Sequence, residues 1–191
     1  MTTSNKDYMT VAQILEERQK ELLEIWLENI RTFPRSRTLE LMTEEQLRKQ
    51  TTELLRALTT AFSSEEYEDI ERPEFADLLA MLRDISAAHA EQGLSPSETA
   101  YFVFSLGSAI RKILIKELAE DVPRMREAIT NVIDVMAKLS LVTVETFAMT
   151  REEIITQQSR SLMELSTPVI KLWDGIILLP PTAVWAAGCL A

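Results

Sequence analysis

Residues 124–165, RMREAITNVIDVMAKLSLVTVETFAMTREEIITQQSRSLMEL, contain neither proline nor glycine. With no residue to interrupt it, the stretch reads as one helix from about Pro123 to Leu165. At 1.5 Å per residue it would span on the order of 60 Å, more than the width of a compact small domain. Its two halves differ. Met125, Ile129, Ile133, Met136 and Leu139 make the first half apolar enough to join a bundle core. The second half, TREEIITQQSRSLMEL, sets Ile154, Ile155, Leu162 and Leu165 among polar residues. A lone helix of that polarity is marginal in water, so it is expected to pair, most simply with its own copy. The heptad pattern is too weak to specify the orientation of the pair. Residues 146–166 are therefore read as a helical linker, with Thr150, Ile154, Ile155, Leu162 and Leu165 as the residues that would transmit a signal.

Working back from that helix, four more helical segments are expected. The first runs from about Thr10 to Arg31, carries Val11, Ile14, Leu15, Leu22, Ile25, Trp26 and Ile30 on one stripe, and is ended by Pro34. The second opens at Thr43-Glu44-Glu45-Gln46, a capping box, and continues to about Phe62. An acidic linker, SSEEYEDIE (63–71), leads to the third, which begins near Pro73, carries Phe75, Leu78, Leu79, Leu82 and Ile85, and is closed by Gly93. The fourth has Ser95 as cap, Pro96 at the first helical position and Glu98 completing the box. Its body, AYFVFSLGSAIRKILIKEL, is apolar almost all round and is expected to be the most buried helix. The fold class is all-α: a helical bundle over 10–145, preceded by a disordered N-terminus at 1–9.

Bulk composition narrows the function. Hydrophobic residues make up 46% of the 191, enough for an ordinary core, and glycine is scarce at 4. A net charge of −10 repels phosphate backbones, so no nucleic-acid partner is expected. The charge-free span from Gly175 to Ala191 is shorter than the roughly 20 residues of a membrane helix and is interrupted by Pro180-Pro181, so no membrane partner is expected either. Cys189 is the single cysteine, which excludes an internal disulfide and suits a reducing compartment. The four glycines, at 93, 107, 175 and 188, cannot form a phosphate loop, and no nucleophile has a base near it, so no enzyme is expected.

The end of the long helix carries a resemblance. MELSTPVIKLWDGIILLP (163–180) resembles the start of a STAS domain of the RsbR type, the co-antagonists of the bacterial stressosome. Upstream, Thr43 to Leu118, centred on SPSETAYFVFSLGSAIRKIL, is similar to the helical N-terminal domain of the RsbRD branch. The resemblance implies a cytoplasmic homodimer whose N-terminal domain receives a signal. It further implies STAS-mediated assembly with RsbS, other RsbR paralogues and the kinase RsbT, whose release serves the general stress response. Several such sensory domains are globin-like but lack heme, so a globin-like bundle with no cofactor is expected here. After Pro180 the residues PTAVWAAGCLA (181–191) depart from the family pattern. The expectation is a truncated STAS start at 167–180 followed by an atypical, out-of-frame or vector-derived tail. No phosphosite of the family maps onto this chain, and Thr167 is not one.

His89 is the only histidine, which excludes a His-His metal pair. It falls in line with Leu78, Leu82 and Ile85, so the sharp reading is a single heme ligand. The plainer reading is a half-buried imidazole satisfied by a carbonyl or carboxylate. Met81, His89, Tyr101 and Phe104, with Phe102, form a possible small-molecule pocket, although such side chains at helical spacing more often belong to a core. Glu65, Glu66, Glu68 and Asp69 lack the spacing of a calcium loop and read as a solvated turn. Two rivals stand beside the stressosome reading: the ligand- or heme-binding input domain of a sensor histidine kinase, and a plain dimeric scaffold. The STPV sequence argues against the kinase, which would continue into a dimerisation helix bearing a histidine.

Overall fold

Three helices open on the same device, a threonine or serine whose hydroxyl accepts from the third helical residue while that residue's side chain reaches back. Thr10 with Gln13, Thr43 with Gln46 and Ser95 with Glu98 each complete the pair. The computed structural model describes residues 9–34, 37–64, 67–165, 170–173 and 176–178. Its helices are α1 (Val11–Glu17), α2 (Gln19–Arg31), α3 (Thr38–Leu41), α4 (Glu44–Ala61), α5 (Ala76–Gln92), α6 (Pro96–Glu117) and α7 (Val122–Leu165). A 3-10 turn at Pro73–Phe75 leads into α5. The expected N-terminus at 1–9 and tail at 181–191 fall outside the described residues, except for Met9.

The first expected helix is two. Arg18, with φ −99° and ψ 13°, separates α1 from α2, and its guanidinium forms an ion pair with Glu117 of α6 at 2.9 Å. Periodicity along one stripe does not register a one-residue break that leaves both halves facing the same core. The short α3 was also not anticipated from sequence.

The chain divides into two compact units, Met1–Thr150 and Arg151–Ala191. In the first, α6 packs on α1, α2 and α5, and α4 packs on α1, α2 and α5. Leu15, Leu22, Trp26, Leu27, Leu55, Leu58, Phe75, Ile110 and Leu114 are completely or almost completely buried between them, and Val132, Val135 and Leu139 of α7 join the same cluster. Trp26 secures α2 to α6: its Nε1 donates to the Phe102 carbonyl at 3.0 Å and to Ser105 Oγ at 3.1 Å. Next to it, Asn29 Nδ2 donates to the Ser105 carbonyl at 3.1 Å. Residue 93 ends α5 at φ 82°, where only glycine is unstrained, and Leu94 N–H reaches back to the His89 carbonyl at 3.0 Å. The acidic linker is fastened to α7, with Asn131 Nδ2 donating to Glu68 Oε1 at 2.5 Å and Lys138 Nζ to the Glu68 carbonyl at 2.7 Å.

In the second unit the last turns of α7 precede an antiparallel pair, β1 (Ile170–Trp173) and β2 (Ile176–Leu178). Ile170 pairs with Leu178 and Lys171 with Ile177, and the register shifts before Trp173. Strand structure thus occurs within the apolar run expected to begin a sheet. No helix among the described residues is long and apolar enough to cross a membrane.

Two substitutions test this packing. Trp26→Phe should lower unfolding stability by about 2 kcal/mol, since it removes an indole and its hydrogen bonds from a fully enclosed site; denaturant melts measure it. Gly107→Val should cost about 1–3 kcal/mol, because a Cβ at 107 would lie 2.9 Å from Met136 Cγ and force α7 outward. A Val variant as stable as the parent would show that this seam is loose.

Candidate functional site

Among the described residues, the large apolar side chains left exposed lie on α6 and α7: Phe104 and Ile115 on α6, and Val122, Ile133, Leu141, Val144, Met149, Ile155 and Leu162 on α7 among them. Sequence spacing accounts for several of those on α7, though not for Leu141 and Met149. Val122, Ile133 and Val144 recur every eleven residues, a spacing that returns to nearly the same helical direction, within about 20° at each step. Val132, Val135 and Leu139 point about 100° or more away from this stripe and are buried. Within the first unit α7 therefore has two apolar faces, one enclosed by the bundle and one open.

The open face borders a groove between α6 and α7 of about 260 Å³. Phe104, Gly107, Ser108 and Arg111 line it from α6, and Val132, Ile133, Met136 and Ala137 from α7. Gly107 permits the close approach, with the side chain of Met136 resting where a Cβ would be. In the second unit Ile155 and Leu162 are exposed and Ile154 is half-buried, and Ile155 again stands eleven residues after Val144. Thr150, the last residue of the first unit, is half-buried; the side chain of Leu165 lies outside the described residues.

Several expectations need correction. Ile133, placed in the core by periodicity, is 54% exposed, because a second apolar stripe on one helix is indistinguishable from the first until its neighbours are known. Phe104 is likewise 54% exposed, so α6 is heavily buried but not on every side. The structure gives Met81, His89, Tyr101 and Phe104 different neighbours. Met81 lines a groove of about 480 Å³ between α4 and α5 with Glu53, Arg56, Ala57, Thr60, Glu74 and Asp77. Tyr101 stacks on Phe33, their centroids 4.1 Å apart, and Phe104 faces the α6–α7 groove. The sequence signal for the open face was present in the eleven-residue spacing, which a search for heptads passes over.

His89 departs from the half-buried, satisfied imidazole expected of it. It is 1% exposed, and neither ring nitrogen has a hydrogen-bond partner among the described residues. Ser86 Oγ, one turn earlier on α5, is buried and unpartnered too. The imidazole stands nearly perpendicular to the ring of Phe102, centroids 5.7 Å apart, and Phe102 in turn packs on Trp26 with centroids 5.0 Å apart. Burial lowers the pKa of His89 from 6.5 to about 4, with the carboxylate of Glu98 offsetting only part of that. Although desolvation pushes the Glu98 carboxyl upward, donors outweigh it and hold the group below its ordinary range. Those donors are Ser95 N–H at 2.8 Å, Ser95 Oγ at 2.7 Å and Arg37 N–H at 2.5 Å. No group of His, Cys, Asp and Glu among the described residues is arranged to hold a metal.

Residues 20–162 match the family described as the RsbT co-antagonist protein rsbRD N-terminal domain. No curated protein and no solved structure matches the chain. The match begins in α2, takes in the α6–α7 groove and His89, and ends near the last turn of α7. Covering most of the chain, it shows that this protein belongs to the rsbRD N-terminal domain family of RsbT co-antagonist proteins.

Proposed function

We propose that the chain is the signal-input part of an RsbR-like stressosome protein, cytoplasmic and non-enzymatic, which acts on the release of RsbT kinase in the bacterial general stress response. The observation that carries this reading is that, among the described residues, the exposed large apolar side chains lie on α6 and α7. Such a face is covered most simply by its twin, giving a homodimer across the α6–α7 groove. α7 serves both the bundle core and the segment beyond Thr150, so a change in bundle packing alters the pairing of the two copies of α7. Thr150, Ile154, Ile155, Leu162 and Leu165 pass the change toward a STAS domain beginning at 167–180. Through that domain RsbS, other RsbR paralogues and RsbT would be engaged. The physical requirement is a two-state element that the input biases, and α7 is that element.

Two experiments test it. Light scattering should show a dimer that Ile133→Asp with Val144→Asp converts to a monomer of undiminished helicity; a monomeric parent chain would sink the pairing. Insertion of a flexible Gly-Ser segment after Thr150 should abolish stress-dependent output from a reporter while leaving the bundle folded. An unchanged stress response would mean that rigid coupling through α7 is wrong.

A further inference from the structure

Buried polar atoms are nearly always paired, because an unpaired one forfeits its bonds to water without replacement. Ser86 Oγ and both ring nitrogens of His89 depart from that rule together, within one turn of α5 and on the side facing α6. A neutral imidazole tolerates the site. An imidazolium there would carry a charge and two N–H donors with no acceptor in place. The carboxylate of Glu98 acts on His89 through charge, but it makes no hydrogen bond to the ring and is instead held by donors from Ser95 and Arg37. Among the described residues Glu98 is also the one charged group that acts on the titration of His89. α4 and the Pro73–Phe75 turn pack on α5 as well, but Glu53, Arg56, Glu74 and Asp77 line the separate groove beside Met81.

We propose that the Ser86–His89 cluster is an acid-responsive latch: protonation of His89 favours a state in which α5 has parted from α6 at Phe102. The linkage has a definite sign. In the closed bundle His89 holds its proton only below about pH 4, whereas once exposed to water it titrates near its ordinary 6.5. The open state therefore binds the extra proton, and falling pH favours opening. Between 6.5 and about 4 each pH unit raises the open-to-closed ratio by up to about tenfold. The response begins well above the titration point of the closed form, because the open minority is what takes up the proton. Opening is relayed to α2, since Phe102 stands between His89 and Trp26 and its carbonyl accepts the Trp26 indole. The latch deepens the signal-input reading above and rests on it for biological meaning, though its chemistry can be tested without it.

Proton NMR of the whole chain reads the latch directly, because His89 is the single histidine and its ring signal is unambiguous. The expected result is a His89 midpoint below 6, with the Trp26 indole signal, isolated by Trp173→Phe and Trp185→Phe, shifting over the same pH range. In His89→Gln, which keeps a hydrogen-bonding side chain but cannot take up the proton, the Trp26 shift should vanish between pH 6.5 and 4. A parent midpoint at 6.5 or above overturns the latch, as does an identical Trp26 transition in His89→Gln. Should that variant not fold, the parent midpoint and its coincidence with the Trp26 shift decide alone. In cells His89→Gln should lose acid-induced reporter output and keep its response to other stresses. A latch that works in the tube but leaves the reporter unmoved would count against the input reading, not against the chemistry of His89.

Discussion

A helix as apolar as α6 has to be enclosed on most of its circumference, and that enclosure organises the bundle. α1, α2 and α5 each pack on it, and Trp26 adds direction to what burial alone would leave free to slide. The indole donates to both the Phe102 carbonyl and Ser105 Oγ, so α2 can sit at only one height along α6. On the remaining side, Gly107 lets the side chain of Met136 lie against the α6 backbone, which brings α7 close enough to close the core. Overpacking at that position would be felt throughout, because a dense interior has few voids into which side chains can retreat.

What the bundle leaves open follows from the same packing. α7 carries apolar residues around more of its circumference than one bundle can cover. Val132, Val135 and Leu139 are enclosed, while Ile133 and Val144 stay in contact with water. The eleven-residue recurrence drifts by only about 20° in each eleven residues, more slowly along the helix than a heptad repeat, which drifts by about 20° in each seven. One helix thus belongs to a core and to a surface at once. The proposed input role rests on that sharing of one helix between core and surface.

The polar interior is unevenly satisfied. Glu98 is surrounded by donors, and its carboxylate joins the start of α6 to the backbone of Arg37. Thr51, Ser140 and Thr143 are buried as well, yet each donates to a carbonyl one turn back in its own helix. His89 and Ser86 lack any such partner. The contrast places the weak point of the bundle at one turn of α5 facing Phe102, where a single proton can change the balance.

Much of this was legible in the residues alone. The boxes at Thr43 and Ser95, the stop at Gly93 and the unbroken run to Leu165 depend on bonds or steric limits within a few residues, so they can be read locally. The resemblance of Thr43 to Leu118 to the RsbRD N-terminal domain rested on the same local text and was met by the match over 20–162, which does not reach the STAS-like residues 163–180. Tertiary structure alone decided the rest. The break at Arg18, with its ion pair to Glu117, spans 99 positions of sequence. Whether Ile133 faces protein or water depends on where α6 ends up, and whether His89 finds a partner depends on which atoms α6 presents to it. A side chain's type and phase on its helix are local properties; what lies across from it is set by the packing of other helices, and no window of sequence contains that.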